Sequence, residues 1–319
     1  MTSAQLPVRL DPPARLVRAV EAQEAVPGDT GGGGGRRWLA GVAELVRRYA
    51  GEWELTPERV LAPGGGHSML VLVRTAQDVP AALRLSAPHA APAGAAAART
   101  AEALRIWRGL GAVQLLRSGP ADGVLLLERL RGAVSLRSLA ESKAVLEATA
   151  TLQRLWLEPG SGHGFDTVAV RTRERAARLV RARAGVPEAG ALIDQAIALR
   201  EGLAASPAED VLLHGDYHQG RVLAGERTPW LAVGPRPLVG ERAYDLARLV
   251  YDRLDTLAAA PGAATSARRR VARLADTLEV DAERLRGWAY FRAVDEGMAA
   301  LSRGERGRGE LLLEFASWL

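Results

Sequence analysis

The chain of 319 residues has no cysteine, which excludes disulfide frameworks, thiolate zinc centres, iron–sulfur clusters and cysteine nucleophiles together. Lysine is reduced to Lys143, so Schiff-base chemistry and lysine–phosphate contacts are excluded at every other position. No apolar run approaches the roughly 18 to 20 residues that span a bilayer. Residues 1–18 lack the basic start and apolar stretch of a signal peptide. A cytoplasmic protein with no membrane partner is the expectation. Aromatic residues make up only 5%, and the arginines alternate with glutamates along helical stretches instead of forming a basic tract with interleaved aromatics, which argues against a nucleic-acid partner.

What is present suits a folded globular chain: 48% hydrophobic residues, 25% charged and a formal net charge of +5. Residues 27–37 include Gly31 to Gly35 in a row and read as a linker, because glycine loses the most backbone entropy on ordering. A short helix over Ala14 to Glu24 precedes it. After it, Leu39, Val42, Leu45, Val46 and Tyr49 share one helical face. Residues 1–50 therefore read as a helical extension. From Trp53 to Ser86 the runs become short and strand-like, broken at Gly64 to Gly66, and two more strands flank a turn at Gly119 to Gly123. From Ser135 onward helices dominate, apart from a hairpin-like insert over Val211 to Val239. Tyr244 to Leu257, Ala264 to Leu278 and Asp281 to Leu301 read as helices, with Asp281 as an N-cap. The expectation is an α+β chain with a small antiparallel β-rich lobe at 51–130 and a large helical lobe at 131–319.

The string HGDYHQGRVL, His214 to Leu223, followed by PWLAVGPRPLVGERAYDLARL, resembles the signature region of the aminoglycoside phosphotransferase family. Within that family it is most similar to the streptomycin 6-phosphotransferase and hydroxyurea phosphotransferase branch. LGAVQLLRSGPADGVLLLERL, from Leu110, and LEVDAERLRGWAYFRAVDEGM near the C-terminus extend the resemblance over about Trp53 to Ala300. It implies a two-lobed protein-kinase-like fold that takes ATP between the lobes. It implies that Asp216 accepts the proton of the substrate hydroxyl, that Asp245, Glu241 and Tyr244 brace the catalytic loop, and that His214 is structural. GGGHSM, Gly64 to Met69, falls where the nucleotide-covering loop lies, which puts Gly65 and His67 among the ligand-binding candidates; a plain hairpin turn explains the same glycines. Arg84, Arg221, His218 and Glu128 complete that candidate set. His214 and His218 around Asp216 do not converge as a metal site would, and no metal ligand is assigned.

Three positions depart from the family pattern. The metal-binding asparagine falls on Arg221, the metal-binding aspartate on Gly234 and the phosphate-holding lysine on Arg84. Glu102, or Ala98 or Thr100 in another register, stands where the lysine's partner glutamate belongs. A glycine offers no carboxylate to a cation that wants oxygen ligands, and a guanidinium repels it. The leading expectation is thus a pseudokinase-like chain that has lost Mg·ATP phosphotransfer, needs no cofactor and binds a small molecule, a peptide or another enzyme of a natural-product or resistance pathway. An active ATP- and Mg²⁺-dependent phosphotransferase on a hydroxyl of an antibiotic-like small molecule or peptide is the first alternative. A repurposed enzyme using Asp216 for acid–base chemistry, such as elimination or cyclisation, is the second. With no metal between them, Asp216 and Arg221, five residues apart on one loop, are expected to form an ion pair.

Overall fold

The computed structural model describes residues 8–24, 33–88 and 93–319, and the chain divides into two units, Met1–Arg131 and Gly132–Leu319. In the first unit, helices α1 (Ala14–Glu24) and α2 (Gly34–Glu52) precede strands β1 (Thr56–Val60), β2 (Ser68–Arg74) and β3 (Pro80–Ser86). Helix α3 (Ala93–Trp107), β4 (Leu115–Gly119) and β5 (Val124–Glu128) complete it. The strands form one antiparallel sheet in the order β1-β2-β3-β5-β4. Met69, Val71 and Val73 alternate along β2, so their side chains fall on one face. That face is covered by Leu16 and Val20 of α1 and by Val42, Val46 and Tyr49 of α2. The two N-terminal helices thus share the core of the sheet. A cavity of about 250 Å³ is lined by Leu55 and Leu126 of this core together with Trp53, Thr75 and Leu116.

The glycine-rich linker is shorter than its composition suggests. Residues 27–32 lie outside the described residues, and residues 34–37 form the first turn of α2. Gly33, at φ 81°, makes the left-handed entry, and the first turn leaves its amides without intrahelical partners in any helix. Burial of the Val42, Val46 and Tyr49 face then outweighs the entropy of ordering two glycines.

The second unit opens with β6 (Arg131–Ser135), α4 (Glu141–Gln153), α5 (Val168–Ala182) and α6 (Gly190–Ala205). Four three-residue strands follow: β7 (Val211–Leu213), β8 (Val222–Ala224), β9 (Trp230–Ala232) and β10 (Leu238–Gly240). The unit closes with α7 (Arg242–Val250), α8 (Leu254–Ala258), α9 (Ala263–Leu278), α10 (Ala282–Ser302) and α11 (Arg306–Trp318). β7 pairs antiparallel with β10, while β8 and β9 form a hairpin with β6 on its edge. α10 is buried on nearly every side, through Trp288, Phe291, Val294 and Met298 among others, and packs against α6, α7 and α11. Asp281 caps it by accepting from Arg284 N at 2.8 Å. The helix expected over Tyr244 to Leu257 instead breaks after Val250, where Arg253 takes φ 55°; the break frees Asp252 to serve the loop described next. Among the described residues no helix is long and apolar enough to cross a membrane.

Candidate functional site

The chain leaving β7 is shaped by its backbone amides. His214 N and Gly215 N donate to Asp245 Oδ2 and Oδ1 on α7 at 2.7 and 2.8 Å. Gly215 has φ 78°, and a Cβ there would lie 2.0 Å from the Arg236 carbonyl oxygen, so no other residue fits. Four residues on from Gly215, Gln219 N donates to Asp252 Oδ2 at 2.5 Å, and Arg137 Nη2 holds the other oxygen of that carboxylate at 2.9 Å. His218 Nδ1 accepts from Gly220 N at 3.2 Å and caps the turn Gln219–Arg221. Glu241, at the start of α7, accepts from Trp288 Nε1 at 2.6 Å and from Arg284, which ties α10 to the base of the loop. Tyr244 packs edge-on against Trp288.

Between these anchors the loop presents Asp216. Arg221 Nη2 donates to its Oδ2 at 3.0 Å, forming the expected pair. Arg248 Nη1 lies 3.5 Å from Oδ1 and Arg236 Nε 3.9 Å from Oδ2. Burial opposes ionisation of Asp216, yet Arg221, Arg248 and Arg236 outweigh it and hold the carboxyl far below its ordinary range. Arg248 also donates to Glu296 Oε1 of α10 at 2.7 Å. Arg292, one turn earlier on α10, stacks on Tyr244 with its guanidinium carbon 4.7 Å from the ring centre. Burial holds His214 neutral, with its pKa depressed to about 3, and His218 is depressed by burial and by Arg248. Burial pushes Asp245 up to about 6, against the pull of Arg292 and of the two amides.

The structure gathers Asp216, His218, Arg221, His214, Asp245, Glu241 and Tyr244 in the second unit around this loop. Arg84, Gly65, His67 and Glu128 belong to the first unit. There, Arg84 Nε donates to Ser68 Oγ at 3.4 Å across β3 and β2, and Glu128 Oε1 accepts from Gln114 N at 2.7 Å. Gly65 is exposed with no heavy atom near its missing Cβ, while a Cβ on Gly64 or Gly66 would touch Pro13 or Ala19. The His67 carbonyl accepts from Ala87 N at 3.0 Å. Glu102 is half-buried on α3. Sequence reasoning missed Arg236, Arg248, Arg292 and Glu296. The available signal was spacing: Arg248 lies three residues after Asp245 on α7, and Arg292 four before Glu296 on α10, so each pair shares a helical face.

Gly234 lies in the turn after β9 at φ 65°, and a Cβ on it would lie 2.5 Å from Arg221 Nη1. The guanidinium therefore occupies the space that a side chain at position 234 would need. A divalent cation does not fit these residues: the two positions that the family pattern assigns to it hold a cation and no side chain. Among the described residues there is also no cluster of three His, Asp or Glu able to hold a metal ion.

Residues 52–304 match the family described as aminoglycoside/hydroxyurea antibiotic resistance kinase. Streptomycin 6-kinase of Streptomyces glaucescens is 33% identical over 298 residues, 90% of this chain and 94% of the relative. Hydroxyurea phosphotransferase of Kitasatospora aureofaciens is 34% identical over 304 residues, covering 89% and 82%. A thermostable mutant of an aminoglycoside phosphotransferase, solved as a ternary complex with ADP and hygromycin B, aligns with 87% of this chain and 97% of its own, at a TM-score of 0.60 and 14% identity. The fold is therefore that of the aminoglycoside phosphotransferases. The expectation that no cofactor is needed is overturned: the relatives are by name kinases and a phosphotransferase, and the solved neighbour carries ADP.

Proposed function

The chain belongs to the aminoglycoside/hydroxyurea antibiotic resistance kinase family, and on that premise we propose that it transfers a phosphoryl group from ATP to a hydroxyl of an antibiotic-like small molecule. The observation that carries this reading is Asp216, fixed between two amide-anchored ends of one loop and ringed by Arg221, Arg236 and Arg248. Phosphoryl transfer passes through a loose transition state, so positioning and charge neutralisation matter more than base strength. Asp216 is suited to orient the substrate hydroxyl and to take its proton as the oxygen–phosphorus bond forms and ADP departs. The arginines are suited to offset charge on the transferring group. Mg²⁺ that accompanies ATP would be carried by the nucleotide's own phosphates, since the side chains here do not receive it, and no step is assigned to it.

Loss of phosphotransfer, the leading expectation from three changed positions, is less well supported than a working enzyme, because named kinases resemble this chain over nine-tenths of its length. A repurposed chemistry in which Asp216 serves as the general acid is disfavoured too. A carboxyl held far below its ordinary range has no proton to donate near neutral pH.

The test is transfer of labelled phosphate from ATP to a panel containing streptomycin, hydroxyurea and hygromycin B. Label is expected in at least one acceptor, with turnover falling about a hundredfold or more in Asp216→Asn, in the range of a lost proton-accepting group. Transfer unaffected by Asp216→Asn, or none to any acceptor, would defeat the proposal.

A further inference from the structure

Around Asp216 positive charge exceeds negative. Arg221, Arg236, Arg248 and Arg292 face Asp216, Glu296 and Asp245, and Asp245 is already committed to two amides. The outer neighbours do not cancel the excess: Arg175 and Arg178 share Asp295, and Arg171 pairs with Asp166, three cations on two carboxylates. His214 and His218 are held neutral. Burying cations without full compensation is unfavourable unless an anion completes the set. Arg236 shows the imbalance, since desolvation and the neighbouring Arg221, Arg175 and Arg171 outweigh Asp216 and draw it below its ordinary value.

The two guanidinia nearest solvent are also the ones with donors to spare. Arg221 and Arg236 keep 34% and 43% of their side-chain surface exposed, against 17% for Asp216. Each guanidinium carries five N–H donors in a rigid fork that suits phosphate oxygens; Asp216 accepts a hydrogen bond from Arg221 alone, while Arg236 lies at an ion-pair distance of 3.9 Å from it. Gly234 leaves Arg221 the room for this pose.

We propose that Arg221 and Arg236, anchored on Asp216, form a guanidinium fork that binds phosphate oxygens directly, in the place where the family pattern would put a protein-held divalent cation. The proposal rests on the phosphotransferase reading for the origin of the phosphate but concerns binding alone. The exchange of a metal ligand for Arg221 and the emptying of position 234 are then one change: a fixed organic cation stands where an ion would be caged. The ligand class is a polyphosphate, whether free or as the tail of a nucleotide.

Calorimetry on the full chain with inorganic pyrophosphate and tripolyphosphate, in EDTA and then in excess Mg²⁺, tests this. Binding is expected in EDTA, with no strengthening by Mg²⁺. Arg221→Ala and Arg236→Ala should each weaken it about ten- to hundredfold, the range for lost charge-assisted hydrogen bonds. Arg221→Lys should restore little, because an ammonium has no planar fork. If Arg221→Ala fails to fold, by far-ultraviolet circular dichroism, the more exposed Arg236→Ala carries the test. Binding that requires Mg²⁺, or equal affinity in both alanine variants, would overturn the fork. Polyphosphate binding in EDTA without transfer to any acceptor would leave the fork standing and remove the enzymatic reading, so the two fail separately.

Discussion

Placing one methyl group at position 234 is expected to destabilise the chain in a way that depends on residue 221. Gly234 sits at φ 65°, and the Cβ of Gly234→Ala would come within 2.5 Å of Arg221 Nη1. The left-handed backbone alone costs a non-glycine residue about 1–2 kcal/mol. The rest comes from driving Arg221 off Asp216, a pair 3.0 Å long and about one-third exposed on the arginine side. Solvent screening and the remaining partners of Asp216 limit that loss to about 0.5–1 kcal/mol. Gly234→Ala should therefore destabilise by about 2 kcal/mol, or about 3 °C in melting temperature for a chain of this length. In an Arg221→Ala background the collision is gone and only the backbone strain remains, so the same substitution should lose up to about 1 kcal/mol of its effect. Urea denaturation of the four members of this cycle, followed by tryptophan fluorescence, measures the coupling. Strict additivity, or a neutral Gly234→Ala, would refute the packing of Arg221 into that space.

Two further outcomes are expected. His214 titrates near 3 in the folded chain and near 6.5 unfolded, so the stability from keeping it neutral is complete above pH 6.5 and is lost as pH falls through 6.5 toward 3. Asp245, raised to about 6, acts in the opposite sense between about pH 6 and 4, where the folded state holds the extra proton. The deficit of His214→Gln relative to the parent, by urea denaturation, should shrink by about 1.4 kcal/mol per pH unit below 6.5; a deficit independent of pH would contradict the buried neutral histidine. Glu241→Ala removes a buried carboxylate from Trp288 and Arg284 and should destabilise by about 3–5 kcal/mol. A loss under 1 kcal/mol in the same assay would mean that the carboxylate is not the tie between α10 and the start of α7.

Much of this arrangement was legible before any coordinates. Three- and four-residue spacing located α9 and α10, because burial on one face imposes a period that survives in the sequence, and short apolar runs broken by glycines located β2 and β3. The motif from His214 to Gly220 located the loop. Arg236 and Arg248 stayed hidden because they reach Asp216 from a turn and from α7, with Glu296 of α10 joining through Arg248, and helical spacing within one element does not record convergence between elements. The strands β7 to β10 are three residues long and fall below any periodic signal. Position-by-position reasoning took Arg221 and Gly234 as two lost ligands of one metal ion, with no contact between them. In three dimensions the guanidinium of one fills the space beside the other, and the pair is a single fitted unit.

The anchoring of the loop by Asp245 and Asp252 separates its form from its chemistry. Both carboxylates grip amide hydrogens, at His214, Gly215 and Gln219, which every residue except proline supplies. The side chains at 216 and 221 are therefore passengers on a mount that does not depend on their identity, while His218 caps its last turn. Such a mount tolerates wholesale exchange of its reactive groups without collapsing, and it makes the loop a practical chassis for grafting other anion-handling or proton-handling residues into this fold.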